Sequence, residues 1–271
     1  KRYGFCAIVY VIPGRTEDAA LVRPRQAVAG AGTSPFMTWP ELRALHAEGT
    51  LDVQSHTFSH AMIDTSAQPA AFVDPRYGES SSFLARPLID DGLDEVPRRR
   101  PRFVTPADLG APLYRTRSRM SDAPRILHAP AVREACLDLV RSEGGEAFFS
   151  TRRWHARLTD IAGHANAGHR TESDDEHQRH IERELEDART EIDHQIGARV
   201  VRHVCLPWGV SGRRTEAALK RLGFSTAIAN RMPGTFAVRP GDDPFWLKRL
   251  PNRYIFRLPG HGRRWPFAAR S

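Results

Sequence analysis

The chain has 271 residues, 40% of them hydrophobic and 27% charged; that is enough for one large domain or two small ones, and it excludes global disorder. The formal charge is +8. Only three of the 40 basic residues are lysines (Lys1, Lys220, Lys248), and the arginines are scattered among 32 acidic residues, so no basic stripe is massed for a nucleic-acid partner.

The opening residues Lys1–Pro13 read as a helix end, a stop at Gly4, and a strand over Cys6–Ile12. That run is apolar without interruption, the pattern of a strand buried on both faces of a parallel sheet. Thr38 then caps a helix, with Glu41 three residues on in a capping box. Leu42, Leu45 and His46 share one face, and Gly49 ends it. A strand at Leu51–Gln54 completes a strand–helix–strand unit of the α/β kind. Residues 66–165 break this rhythm. They are rich in Pro, Arg and Ser, with predicted helices near 130–142 and 150–162, and are read as an insertion in the main domain. Its Arg98–Arg102 run is read as a solvated loop.

From Ser173 to Ile196 the sequence predicts a charged helix. Ser173 and Glu176 form its cap, Ile181, Leu185, Ala188, Ile192 and Ile196 its apolar stripe, and Gly197 its stop. A strand over Val200–Leu206, a Pro207-Trp208-Gly209 turn, a helix over Arg214–Leu222 and a strand over Ser225–Ala229 follow. Further strands are expected at Trp246–Leu250 and over residues 254–258. The cysteines Cys6, Cys136 and Cys205 form no CxxC pair and predict no disulfide framework. No apolar run reaches the length of a membrane-spanning helix, and the sequence leaves the compartment undecided.

Chemistry concentrates in Ser55-His56-Thr57-Phe58-Ser59-His60, just after a predicted strand, where α/β barrels place their active groups. Two histidines four apart share one side of a helical turn, so both imidazoles can face one divalent metal. Hydroxyl residues beside each leave room for bonds that fix the ring tautomers. By itself the pair is equally compatible with two exposed or capping histidines.

The stretch from Phe36 to His60, ending in the Ser-His-Thr-Phe-Ser-His motif, resembles the polysaccharide-deacetylase (NodB-like) family. The opening strand, the segment Ile181–Gly209 with its Pro-Trp-Gly turn, and Ala217–Ala229 resemble later parts of the same domain, in the same order. The resemblance implies an α/β fold, a distorted (β/α) barrel, with residues 1–271 as one catalytic domain incomplete at its N-terminus. It implies a metal, most often zinc, held by one Asp and two His, which His56 and His60 match. A second Asp would act as general base on water attacking an acetamide carbonyl. A backbone N–H after the turn of Pro207, Trp208 and Gly209 would help hold the oxyanion, with Pro207 and Trp208 lining the sugar groove. The substrate implied is an N-acetylated carbohydrate or a small amide.

Departures from the family pattern are specific. The Thr-Phe-Asp-Asp motif that supplies both aspartates is not found in this sequence and is expected upstream of residue 1. Asp52 and Asp64 flank the histidine motif, and Asp64 is the local substitute. Cys205 stands where many members carry Arg. The late general-acid His has only His261 as a counterpart, with a solvent-exposed loop residue as the alternative. His177 and His180 are read as solvated on a charged helix, and His203 ranks third as a site histidine. The alternative function is a relic of the same fold that binds glycan or metal without turnover.

Overall fold

The computed structural model describes residues 6–17, 36–80, 82–93, 95, 98–164, 168–229 and 239–248. His261 and the strand expected over 254–258 lie outside the described residues. In chain order the elements are β1 (Ala7–Val11), α1 (Trp39–Ala47), β2 (Leu51–Ser55), β3 (Met62–Asp64), β4 (Ala71–Phe72), α2 (Tyr77–Ser80), β5 (Leu88–Asp90), β6 (Arg102–Phe103), β7 (Pro112–Leu113), β8 (Thr116–Ser118), β9 (Ile126–His128), α3 (Pro130–Ser142), α4 (Trp154–His164), β10 (His169–Thr171), α5 (Asp174–Ile196), β11 (His203–Cys205), α6 (Arg213–Arg221) and β12 (Thr226–Ile228).

Strands β1, β2, β11 and β12 form one parallel sheet in that order. Among the described residues this sheet is open, not a closed barrel. Helices α1 and α5 pack on it. Trp39 and Leu42 of α1, Val53 and Val204 of the sheet, and Ile181, Leu185 and Ile192 of α5 share one buried core. Each such side chain contributes roughly 1.5–3 kcal/mol of burial.

Both helices begin where their sequences say. In α1 the Thr38 N–H donates to Glu41 Oε2 at 2.8 Å, and the Glu41 N–H donates to the Thr38 hydroxyl at 3.4 Å. In α5 Ser173 and Glu176 reciprocate in the same way, and Gly197 closes the helix in the left-handed region at φ 79°.

Three expectations about the sheet change. Strand β1 is an edge strand among the described residues, and Ile8 is 52% exposed, so the strand is not buried on both faces. Strand β11 is three residues long because side chains take over its approach. The Gln54 Oε1 accepts the N–H groups of Arg202 and His203, and Asp193 Oδ1 accepts those of Val200 and Val201. Pro244–Trp246 is a 3-10 turn, and among the described residues of the strand expected over Trp246–Leu250 only Leu247 bridges to Ile228; residues 249–250 lie outside the described residues.

The region 66–165 carries antiparallel pairs β4–β7 and β5–β6, with its β8 pairing to β3 just before it, and the helices α3 and α4, with its own core around Cys136, Phe148 and Leu158. The solvated-loop reading of the arginine run fails at Arg98. Its side chain is 4% exposed and pairs with Glu184 at 2.6 Å and Asp187 at 3.2 Å on α5. A buried guanidinium needs such partners. No described helix is long and apolar enough to cross a membrane.

Candidate functional site

Strand β2 ends at Ser55, and the chain then turns through His56–His60 at the C-terminal edge of the sheet. This segment is an irregular loop and not the helical turn expected from the four-residue spacing. Thr57 and His60 both take positive φ, 63° and 57°. Trp208, in the Pro207–Gly209 turn after β11, is the third non-glycine residue with positive φ among the described residues, at 58°. Left-handed backbone at non-glycine positions costs on the order of 1–3 kcal/mol each and persists only where surrounding structure enforces it. All three such residues meet at one place.

The enforcement is visible bond by bond. The His56 N–H donates to the Val11 carbonyl at 2.8 Å, and the Phe58 N–H to the Glu184 carbonyl at 2.9 Å. The Thr57 N–H donates to the Ser55 hydroxyl, and the His60 N–H to the Thr57 hydroxyl. Glu184 holds Ser59 twice, accepting its N–H at 2.9 Å and its hydroxyl at 2.8 Å. Every N–H from His56 to His60 therefore has a partner. Arg15 adds a donor from the other side, its Nε 3.0 Å from the Ser59 carbonyl. Gly14 gives its N–H to the Phe58 carbonyl at 2.8 Å. A Cβ at Gly14 would lie 2.8 Å from that same oxygen, so the approach requires glycine.

This frame brings the two imidazoles together. Their centroids are 4.9 Å apart and nearly edge to face. The Trp208 indole lies 5.4 Å from the His60 ring and is 48% exposed, forming a wall open to solvent. The Nδ1–H of His56 donates to the Cys205 carbonyl at 2.5 Å, which fixes the tautomer and leaves the lone pair at Nε2. His60 is buried, and its Nδ1 has no hydrogen-bond partner. Burial, then the neighbouring His56 and Arg15, push its pKa down to about 4, against a weaker opposing pull from backbone groups of His60 and Leu84. A neutral imidazole with an orphaned nitrogen is the state a divalent metal requires.

Burial raises the Glu184 pKa, but Arg98 and the bonds from Ser59 outweigh it and hold the group below the usual carboxylate range. It stays ionised. Arg15 is also buried, and desolvation, with Arg86, lowers it to about 10.

The donor set is partial. Two histidines fit two positions of a catalytic zinc, which ordinarily has three protein ligands. Among the described residues, no group of three or more His, Cys, Asp or Glu could hold a metal. Asp52 accepts a bond from Gln54 Nε2 at 2.7 Å. Asp64 is no substitute ligand: its Oδ2 lies 3.9 Å from His128, at a different cavity. His203 bonds Thr226 across β12 at 2.8 Å.

The turn corrects two further expectations. Pro207 is buried and shapes the bend without a surface for substrate. The N–H groups of Gly209 and Val210 are engaged by the carbonyls of Leu206 and Pro207 at 3.0 and 3.1 Å, so neither is directed at an oxyanion. The solvated reading of the helix histidines also fails. His177 is buried with Nε2 3.2 Å from the Ser121 carbonyl, and His180 pairs with Glu172 at 3.0 Å.

Glu184 and Arg98 are the supporting residues that sequence reasoning missed. The signal was present for Glu184. It sits three residues after Ile181, on the buried face of α5, where a carboxylate demands a cation.

No family model matches the sequence, and no curated protein matches it. Two solved structures are similar in fold. The deacetylase domain of BpsB from Bordetella bronchiseptica aligns with a TM-score of 0.48 and 15% identity, over 92% of this chain and 61% of that one. A de-N-acetylase from Aggregatibacter actinomycetemcomitans aligns with a TM-score of 0.48 and 14% identity, over the same shares. The chain thus spans less than two thirds of the length of either.

Proposed function

We propose that this chain carries the metal-binding half of a hydrolase acting on non-peptide C–N amide bonds, with an N-acetyl group on a carbohydrate as substrate. The observation that carries the reading is the convergence of His56 and His60 beside Trp208, with two left-handed residues in the histidine loop and a third in the facing turn. Strain of that kind, enforced by a buried ion pair, supports a functional site over two incidental surface histidines.

His56 and His60 would hold the metal, most suitably zinc given two imidazole donors. When bound, the metal supplies Lewis acidity toward a carbonyl and lowers the pKa of water. The chain's own residues do the rest. The Cys205 carbonyl orients His56, and Glu184 and Arg15 hold Ser59 so that His60 keeps its position. Trp208 offers an apolar face to a sugar ring. The Trp208 N–H, in the same turn, would be the donor to a developing oxyanion. A carboxylate ligand and the general base come from outside the described residues. The edge of β1, unpaired among the described residues, is where a further strand carrying them would pair.

The test is acetate release from N-acetylated oligosaccharides in the presence of zinc, with and without chelator. Chelator-sensitive release supports the reading; zinc binding without release supports the alternative, a glycan- or metal-binding relic. The incomplete donor set among the described residues is the observation that favours that alternative.

A further inference from the structure

A second polar site lies where Asp64 at the end of β3 meets the region 66–165. Four residues that line one cavity each carry a buried polar atom without a hydrogen-bond partner: Asp64 Oδ1, His128 Nε2, Arg125 Nε and Arg133 Nε. Leaving such atoms unpaired costs roughly 1–3 kcal/mol each, and native structures seldom gather them without something that satisfies them. The cavity holds about 260 Å³, a little below the usual range of ligand sites. Leu88, Val104 and Pro112 give it apolar walls. Strand β3 leads from just beyond His60 directly to Asp64.

The charges decide what fits. Arg125 is already paired with Asp91 at 3.3 Å and Arg133 with Asp108 at 2.5 Å. Neither guanidinium carries uncompensated charge, so an anion gains little here. What remains is a set of donors and acceptors in which Arg125 and Arg133 are each charge-balanced by a carboxylate. Asp64 Oδ2 stands 3.9 Å from His128 Nε2, beyond hydrogen-bond reach. A hydroxyl set about 2.8 Å from each would bridge them. The Nε–H groups of Arg125 and Arg133 call for acceptors such as a carbonyl or ring oxygen. Tyr114 stacks parallel on His128 at 3.6 Å and holds the imidazole in orientation. Burial raises the Asp64 pKa to about 7 against the pull of Arg125, and burial, His169 and Arg125 lower that of His128 to about 4. Between those values both groups are uncharged.

We infer that the cavity formed by Asp64, Tyr114, Arg125, His128 and Arg133 binds one uncharged sugar residue through its hydroxyl and carbonyl groups, as a site separate from the His56–His60 pair. The class follows from the cavity's donors and acceptors; the choice of an N-acetylated sugar rests on the deacetylase reading.

The test is calorimetric titration of the full chain with N-acetylglucosamine at pH 6, repeated on His128→Phe and His56→Ala. Phenylalanine keeps the stack on Tyr114 and removes the polar nitrogen. Saturable binding weakened at least tenfold by His128→Phe and unchanged by His56→Ala supports the site. No saturable binding, or binding lost in His56→Ala but kept in His128→Phe, overturns it, as does displacement of the sugar by sodium acetate. If His128→Phe fails to fold, the His128 imidazole NMR signals of the unaltered chain serve instead: a saturable shift on sugar addition supports the site, and no shift overturns it. Loss of zinc-dependent acetate release alone would strike the deacetylase reading and leave this site standing.

Discussion

Glu184, in the middle of α5, accepts both the N–H and the hydroxyl of Ser59, at 2.9 and 2.8 Å. A helix 125 residues downstream in sequence thereby sets the backbone of the residue before His60, and Arg98 keeps the carboxylate ionised from the other side at 2.6 Å.

Replacing Glu184 with Gln should therefore cost stability and metal affinity together. Removing one member of a buried ion pair costs about 3–5 kcal/mol when its partner is left alone; Arg98 keeps Asp187 at 3.2 Å, which puts the loss at the lower end of that range. Urea unfolding measures the first effect and zinc titration of the folded variant the second. Unchanged zinc affinity in a destabilised variant would make Glu184 purely structural.

Asp64 should make the protein more stable in mild acid than in base. Its folded pKa of about 7 lies above the ordinary 3.8, so its contribution is fully present below pH 3.8 and is lost as the pH rises through 7. The Asp64→Asn variant should match the parent near pH 4 and exceed it at pH 8 by on the order of 2–4 kcal/mol. Denaturant midpoints at the two pH values check this; an equal offset at both contradicts it.

Glu172 works in the opposite sense. Its buried carboxylate accepts bonds from Arg119, the Arg125 N–H and His180. Burial raises its pKa, but these partners outweigh it and hold the value at about 2. This stability is present above pH 4.5 and is lost as the pH falls through 2. Glu172→Gln should flatten the acid limb of the stability profile, as read by thermal melts between pH 2 and pH 6.

Trp208 separates backbone from side chain. Trp208→Ala should weaken substrate binding by roughly tenfold through loss of the sugar-facing ring and leave zinc binding intact. Trp208→Gly should do the same yet melt higher than Trp208→Ala, because glycine accepts φ 58° at about 1 kcal/mol less strain. Loss of zinc in either variant would make the turn part of the metal site.

The elements legible in the sequence are those whose signals are local. Thr38 with Glu41, Ser173 with Glu176, and Gly197 mark helix ends within a few residues of chain, and the structure keeps them. Trp208 and the two histidines were legible as motifs, although the rings meet through left-handed backbone and not through helical spacing. The rest depends on pairs that are distant in sequence. An arginine run looks solvated until Arg98 meets Glu184 across 86 residues. His177 and Glu184 fall on the same buried face of α5 as Ile181, so the helix pattern held the warning, but their partners Ser121 and Ser59 did not. The Asp64 cavity gathers residues from β3, β9 and α3, which no sequence window contains.

In the proposed function the rings of His56 and His60 serve a single cation. Zinc titration of the parent chain, His56→Ala and His60→Ala, followed by calorimetry on folded protein, tests it most directly. One zinc equivalent is expected in the parent, with a loss of at least tenfold in affinity in each variant. Equal stoichiometry and affinity in all three would contradict it.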